Sequence, residues 1–461
     1  MDTTGTHGAR WRAGLSGAAL AVLAACGGGG SSAPVVEAPQ SCSVADQNVW
    51  LRDYMRDWYF WYGLSPSPDP VAYTSVDSYF QALLYPGPAQ GTTSAFPADR
   101  WSFTQPTAEH ELFFGEGKTL GYGLFVAGLE ILDHPEQPLR VRFIEPKSPA
   151  ALAGLQRGEQ ILSVNGRPAS ELAAANDFSA LTPAAAGDLL TLQVRNASGD
   201  RTITLVAGVY DLTPVTNTSV VNSGGRSAGY LVLKDFVDQA VPSLESAFSS
   251  FKAAGVTDLV LDLRYNGGGL VSTASTLASY VAGSRADGQV FASLLYNDKH
   301  SSSNASYRFA SLASALGVSR VYVLSGQRTC SASELVVNGL RPFVDVVLIG
   351  GTTCGKPVGF LPIDNQCGTT FNVVNFESVN ANNQGRYFDG FQPTCAVADD
   401  LDHPLGSPSE ALLAGALQYA QTGTCPPVQA QTAHALRLKA TQRRTPMRST
   451  EPGEHAGMVV R

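Results

Sequence analysis

Four runs of apolar residues constrain this chain more than any other feature: 228–233 (AGYLVL), 257–263 (TDLVLDL), 320–324 (RVYVL) and 344–349 (VDVVLI). They are nearly continuous rather than alternating, which is the pattern of strands covered on both faces in a parallel sheet. Helical periodicity fits 241–254, 271–283 and 332–341, between or beside these runs. Parallel neighbours need crossover connections, so the chain from about 209 to 425 reads as a layered α/β domain. Residues 114–208 differ in character. Short β-like runs fall at 122–127, 139–144, 160–164, 190–195 and 202–206. A helix is expected at 148–154, behind Ser148 as N-cap and Pro149 in its first turn, and another at 177–186. Upstream, Trp50, Leu51, Tyr54, Met55, Trp58 and Trp61 share one face of a helix within 44–63, which Pro66, Pro68 and Pro70 then break. A second helix fits 74–84. Residues 44–113 thus read as a packed, aromatic helical region.

The 461 residues suggest about two to four domains. A formal net charge of -8 argues against a generally basic nucleic-acid-binding surface. Arg10 and Arg12 precede a short apolar run at 13–25, as in a secretory signal. The run ends Leu23-Ala24-Ala25-Cys26, which resembles a bacterial lipobox. By that resemblance residues 1–25 are removed, Cys26 carries a lipid, and 26–43 is a flexible tether. The expected location is the bacterial cell envelope, lipid-anchored, with Gly27 resembling outer-membrane sorting toward the periplasmic face. Six further cysteines remain, an even number that in an exported protein suggests disulfides. From fifteen pairings, Cys330 with Cys354, Cys367 with Cys395 and Cys42 with Cys425 are expected. No cysteine or histidine spacing indicates a metal site, and no cofactor is expected. Residues 426–461, rich in arginine, read as a disordered basic tail.

Within 114–208, Ser148-Pro149-Ala150-Ala151-Leu152-Ala153-Gly154-Leu155 followed by Gly158-Glu159-Gln160-Ile161-Leu162-Ser163-Val164-Asn165-Gly166 resembles the central signature of a PDZ domain. Gly121, Tyr122, Gly123 and Leu124 then correspond to the loop that holds a peptide's terminal carboxylate. Glycine leaves successive N–H groups open to an anion, and a free sheet edge accepts an added strand. In the α/β region, Asp262-Leu263-Arg264-Tyr265-Asn266-Gly267-Gly268-Gly269 follows a buried strand. Its glycines expose backbone N–H groups where an oxyanion hole would need them. No Gly-Lys-Ser/Thr follows at phosphate-loop spacing. Cys330-Ser331-Ala332-Ser333-Glu334 lies between a strand and a helix, and a serine there is usually only a cap. Gly355-Lys356 follows the next strand, 25 residues after Ser331.

Together these segments resemble the C-terminal processing proteases, the tail-specific serine peptidases, over roughly residues 44–425. The resemblance implies a ClpP/crotonase-like layered catalytic core with an inserted PDZ domain. It implies an exported endopeptidase with Ser331 as nucleophile, Lys356 as general base, and oxyanion donors from Ala332 and from Gly268 or Gly269. Partners would be protein or peptide substrates with free C-termini; an adaptor or homo-oligomer is left open. A lysine can act as base when burial lowers its pKa toward neutrality. One departure stands out. Many relatives carry a glutamine four residues after the lysine, where this chain has Phe360. The group that orients Lys356 is therefore unassigned, and a catalytically degenerate peptide-binding scaffold is the alternative. Ser325 and Ser333 are fallback nucleophiles, and His300 or His403 a fallback base. Asp399, Asp400 and Asp402 read as a solvated acidic loop rather than a calcium site.

Overall fold

A computed structural model describes residues 37–89, 92–131, 136–427 and 457–460. The signal segment, Cys26, residues 27–36 of the tether and residues 428–456 of the tail lie outside the described residues. Among the described residues no helix is long and apolar enough to cross a membrane.

The four apolar runs form the centre of a six-stranded sheet. Its spatial order is Val215–Ser223, Arg226–Leu233, Asp258–Asp262, Arg320–Ser325, Asp345–Gly350 and Cys395–Ala396. All neighbours are parallel except the first pair, which is a hairpin. Alternate residues of each strand feed two cores, which is why the runs had to be apolar throughout. Leu231, Leu259, Leu261, Val321 and Val323 face helices Ala240–Ala253, Val271–Ala282 and Ala332–Leu340. Tyr230, Val260, Tyr322 and Ile349 face Leu412, Leu413 and Ala416 of helix Ala411–Thr422. A second six-stranded sheet runs in the order Gly268–Leu270, Gly457–Val459, Val358–Phe360, Val374–Val379, Val290–Tyr296 and Ala305–Arg308. The aromatic helices Val44–Trp58 and Val76–Leu83 pack on it through a cluster holding Trp50, Tyr54, Phe80, Phe360 and Phe371.

Residues 118–211 form the β-rich insertion. Lys118–Gly121 pairs with Gly208–Asp211, and Leu124–Val126 pairs with Val141–Ile144. Gln160–Val164, Leu189–Asn196 and Gly199–Val206 form the greater part of a four-stranded sheet. The helix expected at 177–186 is instead Ala169–Ala175. Asn176 ends it in the left-handed conformation, and only a short 3₁₀ turn, Ser179–Leu181, follows. The Asp188 carboxylate accepts the N–H groups of Ala184 and Ala185, holding that stretch as a turn.

Two of the three expected disulfides are corrected. Cys330–Cys354 forms, but Cys42 pairs with Cys367 and Cys395 with Cys425. Cys395 lies on the edge strand beside helix Ala411–Thr422, and Cys425 follows that helix, so local packing decides the pairing. Cys42 precedes the first helix, where Gln47 accepts a hydrogen bond from Asn365, two residues before Cys367. Residues 37–43 are accordingly fastened rather than a free tether. The tail reading is also corrected in part, because Gly457–Val459 is a buried strand. Met458, Val459 and the following Val460 are apolar, unlike the polar sequence preceding them.

A buried ion cluster fixes the mouth of the first sheet. Arg264 donates to Asp262, to Asp399 and to both carboxylate oxygens of Glu410. Burial disfavours its charge, but these carboxylates outweigh that and hold its pKa above the usual value. Removing one partner from such a cluster strands the rest, so Arg264→Leu is expected to cost about 3–5 kcal/mol in urea unfolding. An unchanged midpoint would contradict this.

Candidate active site

Ser331 stands at the N-terminus of helix Ala332–Leu340, where a serine would ordinarily cap the helix with its hydroxyl. Here the roles are divided differently. The Ser331 backbone has φ 57° and ψ −109°, a strained conformation for a residue with a side chain. Its N–H donates to Glu334 at 3.1 Å. Its hydroxyl is buried and makes no hydrogen bond within the described structure. The two fallback serines differ in this respect: Ser325 donates to the Gly351 carbonyl and Ser333 to the Asn266 carbonyl.

Glu334 is the residue that assembles the site, and the sequence reading assigned it no role. Its buried carboxylate accepts N–H bonds from Ser331, Gly355 and Lys356, and the hydroxyl of Thr353. One side chain thus binds the serine loop to the lysine loop. Burial pushes its pKa above the usual carboxylate value, and these four donors oppose that rise without cancelling it. The available sequence signal was the Ser-x-x-Glu spacing of a capping box. The Cys330–Cys354 disulfide joins the same two loops, with Cα atoms 5.2 Å apart, and the Cys354 N–H donates to the Thr329 carbonyl. Cys330, Glu334 and Cys354 are also a potential metal-ligand group, but both thiols are consumed in the disulfide.

Lys356 is buried, at 2% exposure, with its ammonium nitrogen 4.0 Å from the centroid of the Phe360 ring. Burial lowers its pKa to about 7, against the opposing pull of Asp99 and Glu334. Asp99 comes from the N-terminal region, and nothing in the sequence pointed to it. It accepts from the Tyr59 and Ser102 hydroxyls and from the Trp101 and Ser102 N–H groups.

Of the expected oxyanion donors, Ala332 lies in the first helical turn, where N–H groups have no intrahelical acceptor. The Gly268 N–H donates to the Asn266 side chain, and Gly269 pairs with Met458 in the second sheet. Gly268 has φ 114°, and a Cβ added there would come 3.0 Å from both the Ala332 nitrogen and the Ser331 Cβ, so the glycine run abuts the serine.

The fallback histidines are engaged elsewhere. The His300 ring stacks on Trp58 at 3.6 Å, and His403 contacts Asp400 at 2.7 Å. The acidic loop serves as an anchor. Asp399 binds Arg157, Arg264 and Tyr265, and the two arginines hold its pKa down to about 2. Arg157 belongs to the β-rich insertion and donates to the Tyr265 hydroxyl, while Arg142 lies 5.0 Å over the Tyr265 ring. The insertion therefore grips the loop that continues into Gly267–Gly269. On the insertion itself, the Gly123 and Tyr122 carbonyls accept from Glu145 and Ala150. Gly123 adopts φ 72°, and a Cβ there would strike Ser148. Strand Leu124–Val126 has one paired edge among the described strands, against Val141–Ile144.

With this arrangement in view, comparison with known proteins gives a consistent result. Residues 227–397 match Peptidase family S41, 46–103 match the Peptidase S41 N-terminal domain, and 140–196 match a PDZ domain. The chain belongs to peptidase family S41. It is similar to the carboxyl-terminal-processing protease of Picosynechococcus, with 25% identity over 54% of this chain and 59% of that one. It is also similar to the chloroplastic carboxyl-terminal-processing peptidase 1 of Arabidopsis thaliana, with 28% identity over 47% of this chain and 44% of that one. The matches thus span under two thirds of these relatives' length. Among solved structures, an S41 protease candidate from Bacteroides fragilis aligns over 81% of this chain and 97% of its own, with TM-score 0.62 and 26% identity. The photosystem II D1 C-terminal processing protease shares the fold, with TM-score 0.51 and 19% identity. The S41 member thus combines a layered α/β core, a PDZ insertion and N-terminal helices.

The disulfide makes one separate prediction. It closes a loop with a sequence separation of 24. The Cys330→Ala/Cys354→Ala double variant is expected to lose about 3 kcal/mol in chemical denaturation. Equal midpoints for variant and parent would show that Glu334 alone holds the loops.

Proposed function

We propose that this chain is an exported serine endopeptidase in which Ser331 attacks the peptide carbonyl and Lys356 is the general base. The observation that carries the reading is the Ser331 hydroxyl: buried, unengaged, and held on a strained turn by a carboxylate that also binds the Lys356 backbone. A neutral amine on Lys356 takes the Ser331 proton as Oγ adds to the carbonyl. The resulting oxyanion is met by the N–H groups of Ala332 and Gly269, helped by the positive end of the helix that Ala332 begins. The lysine ammonium then gives its proton to the leaving amine. Water, deprotonated by the same amine, releases the acyl group and regenerates Ser331. The pKa of about 7 allows Lys356 to serve both as base and as acid near neutrality.

The PDZ insertion supplies the second half of the proposal. Its loop at Gly121, Tyr122, Gly123 and Leu124 would hold a substrate's terminal carboxylate, and the free edge of Leu124–Val126 would accept the preceding residues as a strand. At the N-terminus, lipidation of Cys26 would place the enzyme on the envelope membrane, and Cys26→Ala is expected to shift it to the soluble fraction.

The test is digestion of casein, an unstructured protein, by the chain without residues 1–25, beside Ser331→Ala. Cleavage by the parent and none by the folded variant supports the reading. Equal cleavage by both would overturn it. An inert parent that still binds C-terminal peptides would favour the scaffold alternative.

A further inference from the structure

The slot beside the candidate nucleophile is occupied by the chain itself. Gly457–Val459 runs as a parallel strand between Gly268–Leu270 on one side and Phe360, in the strand just past Lys356, on the other. The Gly457 N–H donates to the Gly267 carbonyl at 3.2 Å, and the Val460 N–H to the Phe360 carbonyl at 3.1 Å. The Gly457 carbonyl oxygen lies 2.1 Å from the point where a Gly268 Cβ would stand. That same point is 3.0 Å from the Ala332 nitrogen and 3.0 Å from the Ser331 Cβ. A peptide carbonyl of the strand is thus brought alongside the serine and an expected oxyanion donor. Met458, Val459 and Val460 are 0–2% exposed, and Ser331 beneath them is 0% exposed.

This is how a protease would receive an extended substrate. Main-chain hydrogen bonds on both edges fix the strand regardless of sequence, and side chains alternate into apolar pockets. A Cβ on Gly268 would collide with the incoming carbonyl, so the glycine is required where peptide and loop cross. From these contacts we propose that Gly457–Val460 is a cis-acting occupant of the peptide-substrate slot, so that the chain covers its own nucleophile until a substrate strand displaces it. The proposal rests on the reading of Ser331 as nucleophile for its consequence, but not for the occupancy. An occupant carried on the same chain competes at an effective concentration on the order of millimolar. It therefore raises the apparent KM for free peptides without changing kcat. The side chains it seats also describe a preferred substrate: a small residue at the serine followed by three apolar ones. The competing explanation is a permanent strand that merely completes the sheet.

Binding separates these two explanations without requiring catalysis. A fluorescein-labelled peptide with the sequence of residues 454–461 is titrated by fluorescence anisotropy into the full chain carrying Ser331→Ala. It is then titrated into the same chain with Met458→Asp and Val460→Asp added, whose carboxylates cannot be buried unpaired. At least tenfold tighter binding to the second protein is expected. Equal binding, or none to a triple variant that still melts cooperatively, would overturn the proposal. Hydrogen exchange on the chain without substitutions gives a test independent of the variants' folding. Millimolar peptide should deprotect the amides of Gly457–Val460, and unchanged protection at saturating peptide would mean a permanent strand. With active protein, the Met458→Asp/Val460→Asp chain is expected to show an apparent KM at least tenfold lower at equal kcat. If the peptide exchanges but no chain hydrolyses substrate, the assignment of Ser331 fails while the occupancy stands.

Discussion

Replacing Lys356 with alanine is expected to lower kcat about a thousandfold or more, within the range a general base contributes. The Ser331 hydroxyl has no hydrogen-bond partner among the described residues, and His300 and His403 are engaged with Trp58 and Asp400. The parent's pH profile should carry the signature of this lysine. Its pKa is lowered to about 7, chiefly by burial, and the base must be neutral to act. The rate should therefore rise through pH 7 to a plateau, with about one tenth of the plateau rate at pH 6. The sign of the stability effect follows from the same shift. An unfolded lysine titrates near 10.4, so between pH 7 and 10 the unfolded chain binds more protons than the folded one. Stability should rise with pH across that window as far as this group is concerned. Below pH 7 the folded chain holds a buried ammonium, and Lys356→Met should melt higher than the parent at pH 6. Both follow from steady-state assays and thermal melts. A pH-independent rate between 6 and 8 would remove Lys356 from the mechanism.

The second large effect is expected at Glu334. Alanine there leaves the N–H groups of Ser331, Gly355 and Lys356 and the Thr353 hydroxyl without their acceptor, all in a buried setting. A buried donor without a partner costs about 1–3 kcal/mol. Even with water entering the space left behind, the loss should reach at least about 3 kcal/mol in urea unfolding. Activity should fall further than stability explains, because the Ser331 backbone is free to leave its positive φ once Glu334 releases it. Glu334→Gln keeps the shape but turns an amide N–H₂ toward N–H donors, so it should fold better than the alanine variant and still be impaired. If Glu334→Ala were as active as the parent at a temperature where both are folded, the carboxylate would not be what poises the serine.

Much of the fold was legible because the physical signal was local. Strands buried on both faces must be apolar at every position, so 228–233, 257–263, 320–324 and 344–349 were readable within a residue or two of the observed strands. Ser331 and Lys356 are proposed through a resemblance, since a serine at a helix start is locally indistinguishable from a cap. What escaped depends on long-range geometry. Glu334 reads as a helix residue, and only the tertiary approach of Thr353, Gly355 and Lys356 gives it four donors. Asp99 acts on Lys356 across more than 250 residues of sequence, with no pattern to announce it. The disulfides Cys42–Cys367 and Cys395–Cys425 follow from which elements lie side by side, and spacing alone does not encode that. The strand at Gly457 was overlooked because it is four apolar residues beyond a long polar stretch. Its partners are short strands almost 100 and 190 residues upstream.

The most direct test of the central claim is covalent labelling with a fluorophosphonate, located by peptide mass spectrometry. It is best read in the full chain bearing Met458→Asp and Val460→Asp, so that the tail does not shield the site, with Lys356→Ala in the same background as the control. A single adduct on Ser331 is expected, forming at a rate that rises through pH 7 and that falls at least a hundredfold without Lys356. An adduct on Ser325 or Ser333, or equal labelling with and without Lys356, would contradict it.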